Sequence, residues 1–112
     1  MIGLPGIRVV EIAKVEAYLL NRDHPTGRAK ATFFGRFGYD SSDPIAFAVA
    51  LDRHGATRPI VRTSSNAYGI KHEVRCSLET PDGRDPCIVT IWLQPDGEAG
   101  CRLITAYPAD HR

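Results

Sequence analysis

Two Pro-Asp-Gly turns divide the second half of the chain into strands, and they constrain the fold more than any other feature. The turns lie at Pro81–Gly83 and Pro95–Gly97. Such turns favour hairpins, and strands joined by short turns pair antiparallel. A meander of four antiparallel strands is therefore predicted. Its strands are Ile60–Thr63, Ile70–Leu78, Ile88–Leu93 and Arg102–Tyr107.

The first half of the chain has the spacing of helices. Ser41, Ser42 and Asp43 precede Pro44, which is the pattern of a capped helix start with proline at its first position. This helix should be buried on most sides and end at Gly55. The remaining predicted elements are a short strand at Ile7–Val10, a helix at Ile12–Leu20, and a helix starting in the turn Asp23–Gly27 and ending at Gly38. The fold class is thus α+β, with about three N-terminal helices packed on one face of the four-stranded antiparallel β-meander.

Length and composition indicate an ordinary soluble protein. The 112 residues predict one domain over 1–112, with a loose N-terminal arm at 1–6 and a tail at 109–112. A net charge of +1 gives no global case for nucleic-acid binding. No apolar run reaches membrane-spanning length, and the proline-broken N-terminus does not resemble a signal peptide. We therefore expect no membrane partner and a cytoplasmic location.

The sequence offers no pattern for a metal or a cofactor. Cys76, Cys87 and Cys101 are odd in number and lack CxxC spacing, which argues against a zinc site or a disulfide framework, although one pair could bridge. All three fall in or directly beside predicted strands, so buried thiols are expected. A phosphate loop and a GxSxG elbow are also missing. We expect neither a cofactor nor a bound metal.

Lys30 is out of place in the second helix. At 100° per residue it falls within the apolar arc of that helix. The arc is formed by Ala29, Phe33, Phe34 and Phe37. This position has two interpretations. Lys30 buries its stem and extends its ammonium to water, or its amine is held at a site that the aromatic rings help to shape.

Several other side chains could serve acid–base or phosphate-binding chemistry. His24 either carries protons near neutral pH or caps the second helix. Thr105 and Tyr107 share one predicted face of the last strand, and Arg102 shares the other face with Ala106. The threonine and tyrosine could donate to a phosphate or simply cover the sheet.

The other three histidines receive structural interpretations. His72 is expected to be a satisfied core histidine, and His54 to lie at the surface near the end of the third helix. His111 lies in the tail and receives no role.

Metal-free RNA cleavage needs only a base, an acid and cations, because the 2′-hydroxyl is the nucleophile.

Five segments together resemble an uncharacterised bacterial domain family with the pattern YLLN…HPxGxxKA…TAYP. They are YLLNRDHPTGRAKATFFGRFGY, AYG, LETPDGR, VTIW and RLITAYP. The pattern falls here on Tyr18–Asn21, His24–Ala31 and Leu103–Pro108. This family in turn resembles C-terminal toxin domains of the barnase, colicin-RNase and RelE-like superfold. In that superfold RNA lies across the sheet face that the helices leave uncovered.

The resemblance implies a small metal-independent endoribonuclease of toxin type. It implies RNA as a substrate and a cognate immunity or antitoxin protein as a partner. The implied catalytic residues are His24, Lys30, Arg102, Thr105 and Tyr107. Toxin-like relatives carry an arginine just before the threonine of the tryptophan strand, where this chain has Val89. The missing cation favours an alternative: a non-catalytic protein-interaction domain, such as an immunity or accessory protein, that binds through edge strand Ile60–Thr63 or Arg102–Tyr107.

Overall fold

The computed structural model describes residues 2–109, which form a five-stranded sheet with helices packed on one face. The elements are β1 (Arg8–Val9), α1 (Ile12–Lys14) continued by a π-helical turn (Val15–Leu19), α2 (Arg28–Gly35), α3 (Pro44–Thr57), β2 (Ile60–Asn66), β3 (Gly69–Ser77), β4 (Cys87–Pro95) and β5 (Cys101–Pro108). The α+β class is confirmed. None of the helices in this part of the chain has the length and apolar character needed to cross a lipid bilayer.

The sheet contains the predicted meander and one additional strand. Its order is β1-β5-β4-β3-β2, with β2 to β5 pairing antiparallel and β1 pairing parallel to β5. The short strand predicted at Ile7–Val10 forms as β1, but it joins the sheet beside β5, so the predicted count of four strands in the sheet is wrong. Since β5 lies between β1 and β4, it is not the edge strand that the interaction hypothesis required. Strand β2 is at the edge of the sheet, as expected.

The first helix departs from α-helical geometry in its second half. Ile12–Lys14 form one α-helical turn, and Val15–Leu19 form a wider turn in which the amide of Leu20 donates to the carbonyl of Val15 at 2.9 Å. The bond spans five residues, which defines the π-helix. Tyr18 lies in this turn, so its direction differs from the one that regular periodicity predicts.

The predicted start of α3 is confirmed, and its predicted end is wrong. The Asp43 carboxylate accepts from the amide of Ala46 at 3.2 Å, and Pro44 occupies the first helical turn. The helix continues through Gly55 to Thr57. Gly55 is needed for packing, because a Cβ there would lie 2.5 Å from the Trp92 ring.

Helix α3 is also less buried than predicted. Ile45 is 63% exposed and Val49 is 52% exposed, whereas Phe47 and Leu51 are buried. The helix therefore carries two apolar side chains, Ile45 and Val49, that do not pack against the sheet.

A buried polar network links α3 to the sheet, and it corrects the placement of His54, which is 2% exposed. Its Nε2 lies 3.0 Å from the Cys76 carbonyl, which can only accept, so Nε2 carries the proton. Nδ1 then accepts from the Thr90 hydroxyl at 2.9 Å, and Thr90 accepts from the Trp92 indole at 2.8 Å. Burial lowers the pKa of His54 to about 4, so the ring is neutral.

Both ends of the described chain contact the body of the protein. In the expected loose arm, Gly3 donates to the carbonyl of Arg58 at 2.9 Å, and Leu4 is buried. Ala109, the first residue of the expected tail, donates to the carbonyl of Cys87 at 3.1 Å. His111 lies outside the described residues.

The three cysteines lie in strands, as predicted, and all are free thiols. Only one of them is the expected buried thiol. Cys101 is buried, Cys87 is half-buried and Cys76 is exposed. Cys76 lies one residue from the end of β3.

Candidate functional site on the open face of the sheet

The sheet face away from the helices carries most of the predicted site residues, and we call it the open face. Residues paired directly across antiparallel strands point to the same face. Three rows of paired residues from β5, β4 and β3 therefore lie on the open face. They are Tyr107–Val89–Arg75, Thr105–Ile91–Glu73 and Arg102–Leu93–Lys71.

A β-bulge in β5 changes which side chains reach this face. Ile91 pairs with Thr105, but Trp92 pairs with Leu103, so β5 contains one extra residue. The extra residue reverses the alternation and places Arg102 on the same face as Thr105. The prediction that Arg102 shares a face with Ala106 is wrong, because it assumed an uninterrupted strand.

Tyr18 lies in the π-helical turn, and its hydroxyl contacts one side chain of α2 and one of β5. The Lys30 ammonium donates to it at 2.9 Å, and the Thr105 hydroxyl lies 3.5 Å from the same oxygen. We call these three residues the Tyr18 cluster. The Lys30 amine is thus held by Tyr18 rather than extended to water, and the described contacts do not join it to the phenylalanine rings of α2 that the sequence suggested.

The cluster makes Tyr18 more acidic than an ordinary tyrosine. The hydrogen bond from Lys30 is the largest cause of its lowered pKa, followed by the bond with Thr105, while burial acts in the opposite direction. The sequence analysis placed Tyr18 in the helix Ile12–Leu20 and gave it no functional role. The signal that could have revealed it is its position in the YLLN segment of the family pattern.

His24 adjoins the cluster and also caps a turn. Its Nδ1 accepts from the amides of Thr26 and Gly27 at 3.1 and 3.0 Å. Its ring meets the Tyr18 ring edge-on, with 5.0 Å between centroids. His24 thus holds the turn before α2, whereas the N-cap of the helix itself is Gly27, which has no side-chain cap. Because Nδ1 accepts these bonds, the neutral ring carries its proton on Nε2.

Tyr107 lies one row away from Thr105. Burial raises its pKa and the charge of Glu73 acts in the same direction, whereas Arg75 and Lys30 lower it. All three charges therefore act on the Tyr107 hydroxyl. The sequence analysis gave Glu73 and Arg75 no role, because the register of β3 against β4 and β5 is known only from the folded sheet.

The structure separates Arg102 from the Tyr18 cluster. Its guanidinium lies 3.9 Å from the Glu11 carboxylate, in the row next to β1. Val89, in place of the arginine expected from toxin-like relatives, is 6% exposed in the row between Tyr107 and Arg75. The cation of that row is therefore Arg75 on β3, whereas the resemblance places an arginine on β4.

Other features of the described residues are not connected with the cluster. A cavity of about 610 Å³ lies between the end of the π-helical turn and the loop before α3, and no member of the cluster lines it. Across residues 2–109, no group of three or more histidine, cysteine or acidic side chains is arranged to hold a metal ion.

The family model of DUF6883, a domain of unknown function, matches residues 6–110. The chain belongs to the DUF6883 family. The expected membership of an uncharacterised domain family is thereby confirmed. No curated protein matches this DUF6883 chain.

The DUF6883 fold also occurs in a solved structure. A chain of a contact-dependent growth inhibition toxin–immunity protein complex from Klebsiella pneumoniae 342 superposes with a TM-score of 0.69 and 19% identity. The match covers 90% of this chain and 99% of that chain. At this level of identity, the likeness establishes a common fold.

Proposed function

We propose that this domain is a small toxin-type endoribonuclease that cleaves RNA without a metal ion. The observation that carries the proposal is the Lys30 ammonium, fixed on the Tyr18 hydroxyl beside Thr105 at the open face. A fixed cation with neighbouring hydroxyl groups is suited to a phosphate whose negative charge increases during reaction. The common fold with a chain of a toxin–immunity complex supports a role in such a system, as the toxin or as the immunity protein.

The charges of the open face support RNA as the ligand. Its three rows carry the cations Arg75, Lys71 and Arg102 and the carboxylate Glu73, and Arg102 also has the carboxylate of Glu11 at 3.9 Å. Lys30 adds a further positive charge near Tyr107. This local excess of positive charge attracts phosphates, although the net charge of the chain is only +1.

The residues of the open face can be assigned to the steps of RNA cleavage. Glu73 accepts the proton of the ribose 2′-hydroxyl, because it is the carboxylate in the row of Thr105. Thr105 and Tyr107 donate hydrogen bonds to the phosphate oxygens, and Lys30 stabilises their charge. Arg102 lies about 10 Å along β5 from Thr105, where it contacts another part of the RNA backbone.

His24 has a supporting role in this arrangement. Its Nδ1 is occupied by two backbone amides, so the ring cannot take up a proton there without breaking the turn. It therefore holds the Thr26–Gly27 turn against the Tyr18 ring and offers only an Nε2–H donor.

Growth under induced expression tests the proposal. Wild-type protein should arrest bacterial growth, and Lys30→Ala should restore it. Lys14→Ala is the matched control: Lys14 lies 6.0 Å from the Tyr18 ring centroid but donates no hydrogen bond to it among the described contacts. Purified wild type should cut total RNA in the presence of EDTA and leave 2′,3′-cyclic phosphate ends. Intact RNA together with normal growth would refute the proposal.

A non-catalytic immunity or accessory domain is the second candidate, and one observation favours it. Edge strand β2 has an unpaired side, and Val61 on it is 54% exposed, which suits the addition of a strand from a partner protein. Gel filtration with light scattering, alone and with the product of the neighbouring gene, tests this candidate. A protein that stays monomeric in every mixture would exclude it.

A further inference from the structure

We infer that Tyr18 is the general acid of this site and gives its phenolic proton to the leaving 5′-oxygen of the cleaved RNA. The inference rests on the proposed ribonuclease function and adds a catalytic residue to it. Three observations support it. Lys30 donates to the Tyr18 hydroxyl, Lys30 and Thr105 are both placed to stabilise a phenolate, and the Nδ1 of His24 accepts from backbone amides.

The donors at the Tyr18 hydroxyl leave its proton available. Lys30 carries three N–H donors and no acceptor, so in their 2.9 Å hydrogen bond the amine must donate and the phenol oxygen must accept. The phenolic hydrogen therefore has to point elsewhere. Thr105 lies 3.5 Å away, which is a long contact, so a substrate oxygen on the open face can take its place.

The same neighbours stabilise Tyr18 after it has lost its proton. The bond from the Lys30 cation then joins opposite charges, and after the transfer the Thr105 hydroxyl can turn from the phosphate to donate to the phenolate. Both interactions favour the deprotonated form, in agreement with the lowered pKa of Tyr18. An acid that is protonated at rest and stabilised after transfer suits a leaving alkoxide, which must be protonated.

His24 lies next to Tyr18 but cannot replace it. A histidine acid must be an imidazolium, with protons on both nitrogens, before it donates. The Nδ1 of His24 instead accepts from the amides of Thr26 and Gly27. Protonating Nδ1 would cancel both bonds, and the neutral ring would have to become an anion on giving up its Nε2 proton.

The step balances without a further reactant. The 2′-hydroxyl loses its proton to Glu73, and its oxygen forms a bond to phosphorus. The bond from phosphorus to the 5′-oxygen breaks, and that oxygen receives the Tyr18 proton. The products are a 2′,3′-cyclic phosphate and a 5′-hydroxyl, and solvent restores the two protein groups to their starting protonation states.

A substrate with a 5′-thio leaving group tests the role of Tyr18. A thiolate leaves without protonation, so this substrate does not need a general acid. On the natural 5′-oxygen linkage at the mapped cleavage site, Tyr18→Phe should lose about 10²- to 10⁴-fold in single-turnover rate. On the matching 5′-thio linkage, the same variant should lose at least about tenfold less, and the loss that remains measures the release of Lys30 from its acceptor. The phenylalanine ring keeps the contact with His24, and circular dichroism checks that the variant is folded.

The possible outcomes separate the inference from the proposed function. Equal losses on both linkages, or no loss on either, would overturn the role of Tyr18 while the wild type remains a ribonuclease. Wild type that cuts neither linkage nor total RNA would overturn the function itself. Wild type alone gives a second test that does not depend on the variant. Its rate on the 5′-oxygen linkage should fall at alkaline pH, and its rate on the 5′-thio linkage should not.

Discussion

Mild acid should destabilise the folded domain through His54. Burial lowers the pKa of this ring from its ordinary value of 6.5 to about 4. Between these values the unfolded chain binds a proton at His54 and the folded chain does not, so the free energy of unfolding falls as the pH falls. The contribution is fully present above pH 6.5 and is lost as the pH approaches 4.

The size of the effect follows from the two pKa values. The full difference corresponds to about 3 kcal/mol, of which about 2 kcal/mol is lost between pH 7 and pH 5. The structural reason is that an imidazolium cannot accept at Nδ1, so the bond from Thr90 would be lost in a site where the ring is 2% exposed.

Urea unfolding of wild type and His54→Gln at pH 7 and pH 5 measures this contribution. Glutamine can still donate to the Cys76 carbonyl and accept from Thr90, but it does not titrate. The stability advantage of wild type over the variant should shrink by about 2 kcal/mol at the lower pH. Other titrating groups cancel in the comparison. Ile88→Val, a buried substitution without an ionisable group, should keep the full pH dependence of wild type. If His54→Gln keeps it too, the buried neutral ring is not the cause.

Two further substitutions test the packing and capping of α3. Gly55→Ala should lower the free energy of unfolding by about 1–3 kcal/mol, because the added Cβ would lie 2.5 Å from the Trp92 ring. An unchanged melting temperature would contradict this close packing. Asp43→Ala should lower the free energy of unfolding measured in urea by about 0.5–2 kcal/mol, because the amide of Ala46 loses its acceptor. Asp43→Asn should retain most of the stability, because its side-chain oxygen can still accept.

The parts of the fold that local chemistry determines could be predicted from the sequence. The Pro-Asp-Gly turns led to the meander, and Asp43 before Pro44 marked the start of α3. In each case the responsible residues are adjacent in the chain. The pairing of β1 with β5 could not be predicted in this way, because its partners lie more than 90 positions apart.

Only some members of the candidate site, and not their arrangement, could be predicted from the sequence. Lys30 and Thr105 stood out by residue type and position, whereas Tyr18 did not. The Tyr18 hydroxyl contacts Lys30 and Thr105, which lie 12 and 87 positions away in the chain, and only the folded structure brings them together. The misplaced Arg102 has a similar cause, since a bulge in β5 depends on its register with β4. His54 lies near a helix end, and only the positions of β3 and β4 determine that it is buried.

The π-helical turn at Val15–Leu19 amounts to one residue more than an α-helix would use for the same span. Deleting a single residue there would restore an α-helix and rotate the residues before the deletion by about 100° relative to the residues after it. Tyr18 and the buried side chains of Val15 and Leu19 could then no longer all keep their present directions. A one-codon change in length, without any substitution at Lys30 or Thr105, is therefore enough to separate these residues from Tyr18. Members of the family that differ in length at this turn should differ in whether the cluster exists at all.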